Sequence, residues 1–114
     1  MHPAQVPTVS LDELPADATI LDVREDEEWN AGHVDGARHV PMNQVPNWVS
    51  YGEDAPDPSA TTYVMCKGGG RSAQVTAWLV ANGYDAVNVE GGMLAWATAG
   101  RPMTSESGNP PYVA

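Results

Sequence analysis

The sequence predicts an α/β fold with a central, mostly parallel β-sheet of about five strands, flanked by helices on both faces. Three runs, TILDV (19–23), TYVMC (62–66) and AVNVE (86–90), are short and rich in strand-forming residues. They show little alternation of apolar and polar residues, as expected for strands that are covered on both faces. Helical stretches separate them, and this alternation with short connections is typical of a parallel sheet.

Two further strand candidates bring the predicted sheet to five strands. They are VPTVS (6–10) and ARHVP (37–41), the second of which is closed by Pro41. Between the first two strands, SLDELP has room for a turn or two of helix before Pro15. The acidic, proline-rich stretch 52–60 is predicted to be a surface loop.

Helices are predicted over the remaining stretches. EDEEWNAG (25–32) begins with acidic residues and ends at a glycine, both favourable placements. MNQVPNWVSYG (42–52) is a helix candidate that contains a proline. SAQVTAWLVANG (72–83) has a serine for its N-cap and a glycine at its end. GGMLAWATAG (91–100) is the last helix. In these last two helices we expect the following side chains to face the core: Val75, Trp78, Leu79, Met93, Leu94, Trp96 and Ala97.

Size and composition limit the classes of function. The 114 residues predict one domain, placed at 1–103, and a disordered C-terminal tail at 104–114 that lacks core residues. A net charge of −10 without a basic stripe argues against nucleic-acid binding. No apolar run approaches the ~20 residues that span a bilayer, and the N-terminus has no signal-peptide pattern, so we expect a cytoplasmic location. A small acidic domain is expected to be a monomer.

The inventory of metal ligands is small. The chain has three histidines and one cysteine, and His33 and His39 stand six residues apart, which is no known ligand spacing. We therefore expect neither a metal site nor a cofactor. One cysteine also excludes a disulfide within the chain.

The segment CKGGGR (66–71) carries the strongest functional signal. It follows a predicted strand and precedes a predicted helix, so its glycines let the backbone curl and direct N–H groups inward. Such a nest, the helix N-terminus and the flanking Lys67 and Arg71 all lower a thiol pKa, and we expect Cys66 to be largely thiolate near neutral pH. The alternative is a small buried cysteine beside a flexible turn. Cations at a helix start are unfavourable by about 0.3–1 kcal/mol each, and two of them favour a functional site.

Three segments together resemble the rhodanese-like superfamily of sulfurtransferases. LDVREDEEWNAGHVDGARHVP (21–41) resembles the N-terminal signature, YVMCKGGGRS the catalytic loop and NVEGGMLAWATAGRP the C-terminal signature. The resemblance covers about residues 8 to 102. It implies that Cys66 takes sulfur from a small-molecule donor such as thiosulfate, becomes a persulfide, and passes the sulfur to cyanide or to a thiol, including that of a protein acceptor.

The resemblance also assigns roles to the rest of the loop. Arg71 would orient the sulfonate oxygens of the donor, and Lys67 would supply charge where the family often has arginine. Gly68, Gly69 and Gly70 would contribute backbone N–H groups. Ser72 would cap the following helix or donate to the sulfur.

Three further residues match the signatures and are expected to support the site. Asp22 would accept hydrogen bonds from the active loop, and Arg24 would pair with an acid such as Glu28. His33 would brace the following turn in preference to acting as a general base, since a preformed thiolate needs no base.

Two other functions stay open at this point. A persulfide carrier or interaction module would hold sulfur for a partner protein and turn over thiosulfate poorly. A small phosphatase-like enzyme is the lesser alternative, because tyrosine phosphatases place five residues between cysteine and arginine and this chain places four. One residue fewer shortens the loop by up to ~3.5 Å of contour.

Overall fold

A five-stranded, wholly parallel sheet forms the centre of the molecule. The computed structural model describes residues 6–52 and 54–114, so residues 1–5 of the predicted domain and Glu53 of the predicted loop lie outside the described residues. The strands are β1 (Thr8–Val9), β2 (Thr19–Asp22), β3 (Arg38–His39), β4 (Thr62–Met65) and β5 (Ala86–Val89). Their spatial order is β1-β5-β4-β2-β3. The predicted fold class is confirmed.

The helices lie where glycine, proline and acidic residues predict them. They are α1 (Asp26–Ala31), α2 (Val45–Tyr51), α3 (Gly70–Ala81) and α4 (Gly92–Thr98), with single 3₁₀ turns at Leu11–Glu13 and Met42–Gln44. A capping box between Glu25 and Glu28 starts α1. Pro46 lies in the first turn of α2, where its missing N–H costs no hydrogen bond. Gly83 has a φ of +89° and turns the chain after α3.

Neighbouring residues of the strands point into different core clusters, because side chains alternate between the two faces of a sheet. Leu21 and Val64 pack with Val45 of α2 and Leu79 of α3 on one face. Ile20 and Met65 belong to the second cluster, on the other face, where they are joined by these residues: Leu11, Val34, Val89, Met93 and Trp96. The sheet is therefore covered by helices on both faces, as predicted.

Three side chains that the spacing assigns to the core are exposed. Trp78 is 36% exposed, Leu94 is 48% exposed, and Ala97 also faces outward. Helix α3 buries the stripe through Val75 and Leu79, and Trp78 lies at its border beside a shallow apolar groove. In α4 the buried apolar side chains are Met93 and Trp96, since a helix this short has one narrow face against the sheet.

The C-terminal segment 104–114, for which the sequence predicts disorder, lies against the end of α1. Thr104 and His33 exchange two backbone hydrogen bonds of 2.9 Å, and the N–H of Tyr112 donates to the carbonyl of Ala31 at 3.1 Å. The backbone of Tyr112 approaches Gly32 so closely that a Cβ there would overlap it. The structure thus docks this segment against α1, and the disorder that the sequence predicts stays a prediction.

Neither a membrane span nor a metal cluster is found among residues 6–52 and 54–114. No helix in this part of the chain is long and apolar enough to cross a bilayer. The same residues contain no group of three or more His, Cys, Asp or Glu side chains placed to hold a metal ion.

Candidate active site

The cysteine loop connects the C-terminal end of β4 to the start of α3. Cys66 follows the last residue of β4 directly, and α3 begins at Gly70, four residues later. Gly69 is the N-cap and has a φ of +112°, which a residue with a Cβ rarely adopts. The loop therefore turns back toward its own cysteine. Ser72, predicted as the N-cap, lies instead within the first turn of the helix.

The thiol of Cys66 receives hydrogen bonds from this turn. The N–H of Gly69 donates to Sγ at 3.0 Å, and Oγ of Ser72 lies 3.2 Å from Sγ. Burial raises the pKa of the Cys66 thiol and is the largest single influence on it. The Ser72 hydroxyl and the N–H groups of Ser72, Gly69 and Gly68 together outweigh burial, so the pKa lies below that of an ordinary cysteine. Of the three glycines predicted to contribute N–H groups, Gly68 and Gly69 thus act on the sulfur, whereas no contact joins Gly70 to it.

Ser72 is held by a residue that the sequence reasoning missed. Its hydroxyl lies 2.6 Å from Oδ1 of Asn88 and 3.1 Å from the carbonyl oxygen of Gly69. Asn88 belongs to β5 and is buried, although asparagine is unfavourable in a strand interior. A polar residue within an otherwise apolar strand was the signal available in the sequence.

The first turn of α4 supports the loop from the other side. The N–H of Met93 donates to the carbonyl of Cys66 at 2.9 Å, and that of Leu94 donates to Lys67 at 3.0 Å. Gly92 has a φ of +53°, and a Cβ there would overlap the Cys66 carbonyl oxygen and lie 2.7 Å from that of Lys67. The glycine pair of the third signature therefore allows α4 to approach the cysteine loop closely.

Arg71 forms a bidentate ion pair with Glu28. Its two terminal nitrogens donate to the two carboxylate oxygens at 2.7 and 2.9 Å. The Arg71 hydrogen bond lowers the pKa of Glu28 from 4.5 to about 2. In turn, Glu28 raises the pKa of Arg71, and the negative charge of Cys66 adds to this rise. The fork predicted to bind a sulfonate is thus already bound to a carboxylate.

Lys67 is the other cation of the loop and is half-buried. Within residues 6–52 and 54–114 it makes no salt bridge, whereas Arg24, Arg38 and Arg71 each do. Gly68 and Gly70 are exposed and have open space around them, so they form the outer rim of the loop. Cys66 beneath this rim is 1% exposed.

Asp22 and Arg24 bind each other below the site. Both are fully buried, and the guanidinium of Arg24 donates to the Asp22 carboxylate at 2.7, 3.0 and 3.1 Å. Arg24 also reaches the carbonyls of Glu28 and Gly32 at 3.3 and 2.8 Å. Asp22 thus binds Arg24 rather than the active loop. Arg24 does pair with an acid, as expected, but that acid is Asp22, and Arg24 contacts only the backbone carbonyl of Glu28. The pair ties α1 to the end of β2.

His33 lies between α1 and the C-terminal segment. Its ring stacks on Trp29 with 3.5 Å between the ring centroids, and Nδ1 donates to the Trp29 carbonyl at 2.8 Å. Nε2 lies 3.4 Å from a carboxylate oxygen of Glu106. His39 stacks on Trp29 at 4.7 Å between ring centroids. His33 therefore braces α1 and the C-terminal segment rather than the turn that follows it, and its ring nitrogens contact Trp29 and Glu106.

Comparison with known proteins gives the family. A sequence model of the rhodanese-like domain matches residues 8–99. The chain is 34% identical over 94 residues to the thiosulfate sulfurtransferase GlpE of Pseudomonas putida, covering 81% of this chain and 80% of that protein. It is 33% identical over 93 residues to a sulfurtransferase of Allochromatium vinosum, and the match covers 81% of this chain and 83% of that protein. It belongs to the rhodanese-like family of sulfurtransferases.

The solved structures show the same fold. The crystal structure of a rhodanese-like domain protein from Staphylococcus aureus superposes with a TM-score of 0.70 at 38% identity, over 79% of this chain and 90% of that one. Other relatives are longer. The chain spans 31% of the chloroplastic Rhodanese-like/PpiC domain-containing protein 12 of Arabidopsis thaliana, at 34% identity over 98 residues and 85% of this chain.

Proposed function

We propose that this protein transfers sulfane sulfur from a donor such as thiosulfate to a thiophilic acceptor through a persulfide on Cys66. The observation that carries the proposal is the N–H of Gly69, which donates to Sγ at 3.0 Å, with the Ser72 hydroxyl 3.2 Å from the same atom. A backbone donor fixed at this position stabilises a thiolate before the reaction and a persulfide anion after it. The names of the relatives agree with this class of reaction.

The reaction has two displacement steps. The Cys66 thiolate attacks the outer sulfur of thiosulfate, the sulfur–sulfur bond of the donor breaks, and sulfite leaves with its electron pair. A new sulfur–sulfur bond joins that sulfur to Cys66, and the persulfide anion carries one negative charge. Cyanide or a thiolate then attacks the terminal sulfur and releases the Cys66 thiolate. Because the chain has one cysteine, a thiol acceptor comes from another molecule.

A persulfide carrier is the second candidate, and the Arg71–Glu28 pair favours it. With Arg71 bound at 2.7 and 2.9 Å by Glu28, the loop has weaker attraction for a dianionic donor than its sequence predicts. A carrier would accept sulfur from a protein persulfide and deliver it to a partner, with little turnover of thiosulfate.

Steady-state formation of thiocyanate from thiosulfate and cyanide distinguishes the two functions. The matched control is Cys66→Ser, which keeps the size of the side chain and removes the nucleophile. Turnover by the wild type that is absent in Cys66→Ser supports the enzyme. Transfer from a protein persulfide to an external thiol, without thiosulfate turnover, supports the carrier. If neither donor yields Cys66-dependent transfer, the proposed function is wrong.

A further inference from the structure

We infer that Glu28 determines donor specificity: by occupying Arg71 it favours sulfur donors that carry no oxyanion group over thiosulfate. This inference rests on the proposed function and assigns to Glu28 a role that neither the loop sequence nor the relatives' names supply. It makes Glu28 a positioning residue, since the carboxylate acts on the donor through Arg71 rather than on the reacting sulfur.

The guanidinium of Arg71 binds the carboxylate of Glu28 with both of its terminal nitrogens. The distances from these nitrogens to the two carboxylate oxygens are 2.7 and 2.9 Å. This is the same bidentate arrangement by which arginine binds a sulfonate or a phosphate, so a donor oxyanion must compete for the same fork. The Glu28 side chain is 16% exposed and that of Arg71 is 34% exposed, so water screens the pair only in part.

Glu28 is itself held in place by its helix. Its Oε1 accepts the N–H of Glu25 at 3.0 Å, which closes the capping box at the start of α1. The buried Arg24 also binds the Glu28 carbonyl, at 3.3 Å. A fixed carboxylate loses little entropy on pairing, so it competes effectively with a diffusing anion.

The ion pair with Glu28 lowers the net positive charge of the cysteine loop. The pair with Glu28 neutralises one of the two cations that flank Cys66 in the sequence. Lys67 is left as the loop cation without a salt bridge among residues 6–52 and 54–114. Thiosulfate carries two negative charges and approaches a chain of net charge −10, so loss of one cation weakens its binding. A persulfide without a sulfonate does not require the fork.

The step with such a donor balances without a further reactant. The Cys66 thiolate attacks the terminal sulfur of R–S–SH, and the donor's sulfur–sulfur bond breaks. Cys66–S–SH forms, and R–S⁻ leaves with the electron pair. The number of negative charges is one before and one after the transfer.

The test compares two donors in single-turnover loading of Cys66, read by intact mass: thiosulfate and hydroxyethyl persulfide, which has no oxyanion group. The variant is Glu28→Gln, because glutamine also serves at the third position of a capping box and so preserves the start of α1. The control is Glu27→Gln, which removes the same charge from an exposed neighbour on the same helix. Glu28→Asp is the second variant, since it keeps the charge but shortens the reach toward Arg71.

We expect Glu28→Gln to raise the thiosulfate-to-persulfide ratio of loading rate constants at least fivefold, and Glu28→Asp to raise it less. Glu27→Gln should leave the ratio within twofold of the wild type. Adding Arg71→Gln to Glu28→Gln should abolish the gain. Loading by both donors with an unchanged ratio in both Glu28 variants would overturn the role of Glu28 while leaving the proposed function intact. No loading of the wild type by either donor would overturn both.

Discussion

The N–H of Met93 donates to the carbonyl of Cys66 at 2.9 Å, which joins the first turn of α4 to the residue proposed as the nucleophile. This bond fixes the direction of the Cys66 carbonyl, and therefore the direction in which the loop leaves the sheet. It exists because Gly92, the residue before Met93, has no Cβ to separate the two backbones.

Replacing Gly92 with alanine should therefore displace the loop as well as strain the backbone. At Gly36, where φ is +85° and nothing lies within 4 Å of a built Cβ, alanine should cost about 1–3 kcal/mol from φ alone. Gly92→Ala should cost about 1–3 kcal/mol more because of overlap with the loop carbonyls. Urea unfolding of the two variants measures this difference. Loading of sulfur onto Cys66 should fall in Gly92→Ala only, and equal loading in both variants would contradict a role in positioning the loop.

Removing the Ser72 hydroxyl should make the Cys66 thiol less reactive near neutral pH. Ser72→Ala takes away the hydroxyl 3.2 Å from Sγ, whose hydrogen bond lowers the pKa of Cys66, so this pKa should rise. The rate of alkylation by iodoacetamide at pH 7 should fall roughly five- to tenfold, since less thiolate is present. Its pH profile should move to higher pH. The exposed Ser59→Ala serves as control, and a Ser72→Ala profile that coincides with the wild type would remove Ser72 from thiolate stabilisation.

The Arg71–Glu28 pair predicts a defined loss of stability in acid. Because the pKa of Glu28 falls from 4.5 to about 2 on folding, the pair stabilises the fold fully above pH 4.5 and loses this contribution as the pH falls toward 2. After allowance for solvent screening of the partly exposed Arg71, the contribution is about 1–2 kcal/mol. The fall in the free energy of unfolding between pH 4.5 and 2 should be smaller by this amount in Glu28→Gln than in Glu27→Gln. Equal slopes would show that the pair does not stabilise the fold.

Hydrogen exchange tests the C-terminal segment residue by residue. If the contacts of the structure persist in solution, the amides of His33 and Thr104 should exchange slowly, because each donates to the other's carbonyl at 2.9 Å. The amide of Ala114 is the internal reference for an unprotected position. Protection of both bonded amides would show that the segment stays docked there. Exchange of Thr104 at the rate of Ala114 would support the disorder that the sequence predicts.

The strands and helices could be predicted because their signals are local. Short β-branched runs mark β2, β4 and β5, and glycines end α1 and follow α3. The face that a short helix buries is set by its docking against the sheet, so spacing alone wrongly placed Trp78 and Leu94 in the core. The start of α3 was also misplaced, because Gly69 provides the N-cap by its conformation rather than by a side chain.

The turn and the chemistry of the loop could be predicted, but the residues that contact it from distant parts of the chain could not. Cys66 and the glycines after it are consecutive, and their chemistry follows from a turn between a strand and a helix. Glu28 and Arg71 lie 43 positions apart, and Ser72 and Asn88 lie 16 apart. Which carboxylate meets which guanidinium depends on the tilt of α1 against α3. The sequence accordingly suggested an ion pair between Glu28 and Arg24, whereas in the fold the Glu28 carboxylate pairs with Arg71.

Intact-mass analysis after a single addition of a sulfur donor tests the central claim most directly. The account predicts that the wild type gains the mass of one sulfur atom from thiosulfate or from hydroxyethyl persulfide, that cyanide removes it, and that Cys66→Ser gains nothing. A wild-type chain that stays unmodified with both donors, or a gain that persists in Cys66→Ser, would contradict it.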